Sequence, residues 1–277
     1  MNRQVAENGV SVVAVTDLYP ASSNFTESMY LEVSSDVPVV PFEQLWRKNE
    51  SVAGLNGQAN GSRLLYCPQY ATGPELRSAV SVVNLGGQAG RLSFRFIGDD
   101  GVQIGMMESL PIEPFGKLYL SDARLFIQGV EEKTGYLEVS SDGPRVTGSV
   151  VFGDPSNQRF ASALPLQSAG ARKLVYGHLV SSADFFTGLA LVNPGSTAVN
   201  VSIEVFDRNG QRIKGKTEKI DPGKKISRRL TEYFPELTGL NLDSGYIQVT
   251  SDQEVFSYAL FGAFDLRFLA AIQGRKY

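Results

Sequence analysis

The chain has 277 residues, with 26 Lys and Arg against 29 Asp and Glu, a net charge of −3, 42% hydrophobic and 20% charged residues. This balance is ordinary for a globular protein and leaves no basic stripe, so nucleic acid is not an expected partner. No segment reaches the ~20 apolar residues of a membrane span, Met1–Val5 is not the apolar run of a signal peptide, and the single cysteine, Cys67, cannot close an intramolecular disulfide. It is either a small buried hydrophobe or a free thiol.

In chain order, residues 29–36 read Met-Tyr-Leu-Glu-Val-Ser-Ser-Asp, and this stretch returns as Gly135–Asp142 and as Gly245–Asp252. Tyr30, Tyr136 and Tyr246 are 106 and 110 residues apart. That period suits a whole small domain and is too long for a solenoid. Polar linkers at 57–63 and 167–172 fall between copies, which predicts a partial unit over 1–60, a full unit over 61–168 and another over 169–277. The partial unit corresponds to the second half of the others, so the chain reads as the downstream part of a longer array. Alternatively, it is a half-domain that packs on its neighbour or is completed by another chain. Missing strands in this half-unit would expose edges and favour self-association.

Within the partial unit, Asn8–Val12 corresponds to Phe115–Tyr119 and Pro222–Ile226, and Thr16-Asp17 to Ser121-Asp122 and Thr231-Glu232. A hydroxyl and an acid before apolar residues predict one capped helical turn per unit. The full units open with Leu64-Leu65-Tyr66 and Leu174-Val175-Tyr176. Strands follow at 79–84 and 189–193, each ending in Asn, Asn84 or Asn193, before a turn. Alternating strands at 91–96 and 199–206 stop at Asp99-Asp100-Gly101 and Arg208-Asn209-Gly210, hairpin signals with return strands behind them. The recurring stretch puts Leu137 and Val139 on one face and Tyr136 and Glu138 on the other. After Asp142-Gly143-Pro144 turns the chain, the next strand points Val146, Gly148, Val150 and Phe152 inward. Val255, Ser257, Ala259 and Phe261 correspond to these residues, and Trp46 takes the place of Phe152 as core filler. The expected fold is therefore all-β: tandem antiparallel β-sandwiches, immunoglobulin-like, with seven or eight strands per ~105 residues, each full unit large enough to fold alone.

No constellation of catalytic residues, metal ligands or cofactor contacts emerges. His178 is the only histidine, and it reads as a surface or packed residue. Asp99-Asp100 and Glu131-Glu132 lie in turns or loops. Asp36, Asp142 and Asp252 recur in every copy, as turn residues that the fold requires must, and their spacing is not that of a calcium loop. Asn84 and Asn193 read as side chains that bond the following turn. The basic runs Lys214-Gly215-Lys216 and Lys224-Lys225 with Arg228-Arg229 read as solvated strand faces. A binding role rests on aromatics: Tyr30, Tyr136 and Tyr246 on the outer face, Tyr66 and Tyr176 at the unit openings, and Phe185-Phe186 in a loop specific to the last unit. The tyrosines would stack on sugars, anchor a protein, or cover cross-strand neighbours.

Leu191–Gly195, Phe206–Gly210, Gly245-Tyr246, Val249–Asp252 and Phe261 resemble a tandem β-sandwich module of secreted or surface-attached bacterial proteins. The resemblance implies an extracytoplasmic, non-catalytic stalk, adhesion or accessory module with a protein or glycan ligand. The alternative is a carbohydrate-binding accessory region of an extracellular enzyme.

Overall fold

The computed structural model describes residues 4–7, 9–18, 29–46, 52–121, 131–154 and 160–277. The protein is all-β, with two four-residue helical turns, α1 (Val15–Leu18) and α2 (Leu230–Tyr233), and a 3-10 turn at Pro235–Leu237 among the described residues. Both helical turns fall at predicted sites. The α2 end is closed by Glu232, which accepts from the Arg229 N–H at 2.7 Å, rather than by the hydroxyl of Thr231. Asp122, the corresponding site of the middle unit, lies outside the described residues.

A hairpin of β1 (Phe42–Trp46) and β2 (Val52–Asn56) leads the strands. The first sandwich follows with β3 (Leu64–Thr72), β4 (Arg77–Asn84), β5 (Gly90–Gly98), β6 (Gln103–Ile112), β7 (Lys117–Ser121), β8 (Lys133–Ser141), β9 (Val146–Gly153) and β10 (Ala161–Pro165). Its two sheets have the orders β3-β8-β5-β6 and β10-β9-β4-β7, antiparallel throughout. The second sandwich comprises β11 (Ala171–Tyr176), β12 (Phe185–Val192), β13 (Val199–Phe206), β14 (Arg212–Ile220), β15 (Lys225–Arg229), β16 (Tyr246–Ala263), β17 (Leu269–Gln273) and β18 (Arg275–Lys276). Its orders repeat the first: β11-β16-β13-β14 with β18 beside β11, and β17-β16-β12-β15. Leu137 pairs with Cys67 and Phe96, and Ile247 with Tyr176 and Val205, so these two copies of the recurring stretch hold the same place.

The alternating patterns explain the cores. Leu92, Phe94, Phe96, Leu137, Val139, Val146 and Val150 fill the first sandwich. Leu189, Leu191, Val201, Ile203, Val205, Ile247 and Val249 fill the second. Burying each such side chain contributes about 1.5–3 kcal/mol. The Asp-Gly and Asn-Gly hairpins form as predicted, with Gly101 and Gly210 at φ +83° and +79°, where a Cβ would be strained. One strand differs from expectation. Where Gly143-Pro144 separates β8 from β9, Gln253-Glu254 allows β16 to run for 18 residues through both sheets. Proline cannot donate to a ladder, so its absence lets the pairing continue.

The first copy of the recurring stretch, residues 29–36, forms no strand, with Leu31 at 50% and Val33 at 58% exposure. The physical reason is the lack of a ladder partner: the other copies pair on both sides, with β3 and β5 or with β11 and β13, and among the described residues no strand lies beside 29–36. Met29 also stands where Gly135 and Gly245 allow close approach, since a Cβ on these would fall 2.0 Å from the Ile97 carbonyl oxygen and 2.2 Å from that of Phe206. Val40, which takes the place of the inward-facing Val146, is likewise exposed. The side chain of Trp46 lies outside the described residues.

The two sandwiches are not independent beads. Tyr258 and Leu269 of the second belong to the core of the first, with Phe186, Leu260 and Ala271 packed against it. The outer face of the β12-β16-β17 sheet therefore covers the first sandwich beside β3 and β10, and the Tyr258 hydroxyl donates to the Pro165 carbonyl of β10.

Candidate binding surfaces

Pairing fixes which side chains reach the junction. Tyr66 pairs with Glu138, whereas Val175, not Tyr176, pairs with Gln248, the equivalent of Glu138. Tyr66 and Tyr176 are thus one register apart, and a slip of one residue reverses the face. Tyr176 enters the second core and donates to Ser257 Oγ at 2.6 Å, and burial pushes its phenol well above the usual range. Tyr66 points outward and meets Phe256 of the second sandwich, ring centroids 4.5 Å apart.

Tyr136 lies on the outer face of its sheet but is only 2% exposed, which corrects its reading as an open aromatic. Tyr66, Ile97 and Tyr136 of the first sandwich close on Val192 and Phe256 of the second. The Tyr136 hydroxyl donates to the Gly223 carbonyl at 3.0 Å, and its pKa is pushed up to about 12, by burial first and then by the Glu138 carboxylate.

Lys225 corrects the reading of the basic run as solvated. Its side chain is 0% exposed, and Nζ donates to the Gly135 carbonyl at 2.9 Å and lies 3.0 Å from Asp99 Oδ1. Burial pulls its pKa below 10.5, and the Asp99 carboxylate opposes that shift. Gln167 adds a third tie, donating from Nε2 to the Ser257 carbonyl at 3.0 Å.

The junction has a second edition at the N-terminal side. The Tyr30 hydroxyl donates to the Phe115 carbonyl at 3.1 Å, and Lys117 Nζ to the Met29 carbonyl at 2.5 Å. Val83 pairs with Lys117 as Val192 pairs with Lys225, so Phe115 stands where Gly223 stands; both have positive φ, 53° and 71°. Gln58 donates to the Gly148 carbonyl at 2.6 Å, as Gln167 does to Ser257. The same tyrosine, lysine and glutamine ties therefore occur twice. The recurring lysine was the available signal in the sequence, but aligning Lys117 with Lys224 placed it one residue early.

Tyr246 has neither tie. It stacks on its cross-strand partner Phe206, centroids 4.9 Å apart and planes 5° from parallel. Covering a cross-strand neighbour is thus what this tyrosine does.

Phe185 and Phe186 begin β12 rather than occupying a loop, paired with Ala263 and Gly262. They join aromatics absent from the sequence-derived set. Phe186 lies 5.4 Å from Phe264 and Phe185 5.8 Å from Phe268, with Phe261 between Phe268 and the exposed His178, at 6.2 and 4.4 Å. Arg267 lies over the Phe185 ring at 5.3 Å and Arg229 over Phe264 at 5.7 Å. Phe264 is 46% exposed. Phe185 and Phe186 are consecutive in β12 and so face opposite sides of the sheet, Phe186 toward the first sandwich and Phe185 toward Phe268. Guanidinium groups lie over the Phe185 and Phe264 rings, which leaves less open π-surface for sugar stacking than for a protein contact.

The recurring acids and amides hold the turns. Asp142 Oδ1 accepts from the Arg91 N–H at 2.8 Å, and Asp252 Oδ1 from the Asn200 N–H at 3.0 Å. Asn84 Nδ2 donates to the Gln88 and Glu113 carbonyls; Asn193 Nδ2 donates to those of Thr197 and Ile220. Asp36 is exposed. Cys67 is buried, and burial pushes its thiol up to about 12. Among the described residues no three His, Cys, Asp or Glu cluster as metal ligands, and no helix is long and apolar enough to cross a membrane.

No family model and no curated protein matches the chain. Among solved structures it is similar to Thermotoga maritima 1070, with 16% identity over 39% of this chain and 96% of that one and a TM-score of 0.33. It is also similar to a glycosyl hydrolase family 2 member from Bacteroides cellulosilyticus DSM 14838, with 10% identity over 83% and 34% of the two chains and a TM-score of 0.17. A β-glucuronidase from glycoside hydrolase family 2 gives 8% identity over 78% and 24%, with a TM-score of 0.17. The chain spans only those minor shares of the two hydrolases, and likenesses this slight transfer no function.

Proposed function

We propose that this chain is a non-catalytic structural or binding module, built of duplicated sandwich units and belonging to a larger secreted or cell-surface protein. The observation that carries the reading is the twice-made junction, in which Lys225 and Tyr136 tie one sandwich to the next as Lys117 and Tyr30 tie the N-terminal segment to the first. Such a polar-locked joint, buried between the two sandwiches and exposed at its N-terminal counterpart, fixes the angle between units, as a spacer requires. The half-exposed Phe185, and the exposed Phe264 at the rim of the junction, are the aromatic groups offered to a protein partner on an extracytoplasmic surface.

The test is retention of the purified protein on an immobilised bacterial envelope preparation. Saturable retention, reduced about tenfold or more by Phe264→Ala with an unchanged melting temperature, is the expected result. Retention that survives both Phe264→Ala and Phe185→Ala would overturn the assignment of the patch. The alternative, a carbohydrate-binding accessory region, is supported by the half-exposed aromatic rings. A saturable melting shift with soluble polysaccharide, lost in the same variants, would favour it. Turnover of a glycoside substrate by this chain would defeat both readings.

A further inference from the structure

The ties between sandwiches have a donor side and an acceptor side, and each sandwich carries both. On the acceptor side of the first are Tyr66, Ile97, Tyr136 and the Gly135 carbonyl, closed by the second sandwich. Register places Val175, Phe206, Tyr246 and the Gly245 carbonyl at the same positions of the second. Val175, Phe206 and Tyr246 are all half-exposed, and no part of the described chain closes over them as Val192 and Phe256 close over their counterparts. One difference is that Arg208 stands at the register position of Asp99, so the turn's carboxylate is Asp207, one residue earlier.

A donor side of the right kind also exists. In the first sandwich Lys117 and the Phe115 carbonyl occupy the positions of Lys225 and the Gly223 carbonyl. They are engaged by the N-terminal segment through Met29 and Tyr30. Met29, Tyr30, Leu31 and Val33 are all exposed, and the same segment also reaches this face through Gln58, which donates to the Gly148 carbonyl and accepts from Thr147.

We propose that Val175, Phe206, Tyr246 and the Gly245 carbonyl form a docking surface for a second copy of this chain, which binds through its first sandwich. Lys117 of the incoming copy donates to the Gly245 carbonyl, and Tyr246 donates to that copy's Phe115 carbonyl. The N-terminal segment of the incoming copy is the competitor, because its Tyr30 and Met29 hold the same two groups. A tethered competitor acts at high effective concentration, so the intact chain associates weakly and a weakened tether associates more strongly. The contact joins unlike surfaces, so it grows head to tail rather than closing as a two-fold dimer. This rests on reading the two sandwiches as copies of one unit, but not on the Phe185 patch.

Sedimentation equilibrium of the full chain tests it. Tyr30→Ala is expected to lower the concentration of half-association about tenfold relative to the parent. Adding Tyr246→Ala, or separately Val175→Glu, is expected to return the Tyr30→Ala protein to a monomer, with circular dichroism confirming the fold. A Tyr30→Ala protein that is monomeric at every concentration would sink the proposal, as would association that both second substitutions leave unchanged. Envelope retention is a separate readout, so failure here leaves the binding-module reading standing and failure there leaves this one.

Discussion

Lys225 Nζ lies 3.0 Å from Asp99 Oδ1, with the lysine side chain wholly buried between two sandwiches and the aspartate side chain 40% exposed. The pair is therefore asymmetric. The amine has lost its water and depends on Asp99 and the Gly135 carbonyl, whereas the carboxylate is buried at Oδ1 and keeps its hydration on the Oδ2 side.

Lys225→Ala is expected to destabilise the protein by about 2–3 kcal/mol, below the cost of breaking a fully buried pair because Asp99 can rehydrate. Urea unfolding with both sandwiches monitored checks this, and the loss should appear in the transition that separates them.

The same lysine sets a pH dependence. Burial lowers its folded pKa below 10.5, so between that lowered value and 10.5 the unfolded chain binds more protons than the folded one. Stability from this group therefore rises with pH through that window. In Lys225→Met the rise should be absent when unfolding free energies are compared across the alkaline range.

Asn84 and Asn193 are each expected to cost about 2–3 kcal/mol when changed to alanine. Each buried amide serves two or more carbonyls and accepts one N–H, from Gly86 or Gly195. Changing either to aspartate should cost more, since a carboxylate would face those carbonyls. Thermal unfolding of the four variants decides this.

Phe115 holds φ +53° where the second sandwich has Gly223, and the residue is 59% exposed. Phe115→Gly is expected to stabilise the fold by about 1 kcal/mol, because little apolar contact is lost while the left-handed strain is relieved. An unchanged or lower denaturation midpoint would refute it.

Cys67 should be inert to a thiol reagent in the folded protein, because its buried thiol is held at about 12. Labelling should proceed only at the rate of opening and should become fast in denaturant.

The period-two alternation of residues 91–96 and 199–206, the Asp-Gly and Asn-Gly turns, and the recurrence of Tyr-Leu/Ile-x-Val were enough to read an all-β sandwich from the chain alone, because strand period and turn chemistry are local. The turn roles of Asn84, Asn193, Asp142 and Asp252 were legible for the same reason. Tertiary structure decided the rest. Whether Tyr136 is open or covered depends on a sheet some ninety residues away in sequence, through Gly223. Tyr66 and Tyr176 look alike in sequence, yet a one-residue register difference sends one to the junction and the other to a core. Residues 29–36 show a local pattern overruled, since the same alternation forms no strand where no described neighbour offers it a ladder. Lys225 reads as a surface charge until a neighbouring sandwich removes its water, and no residue beside it in the chain announces that burial.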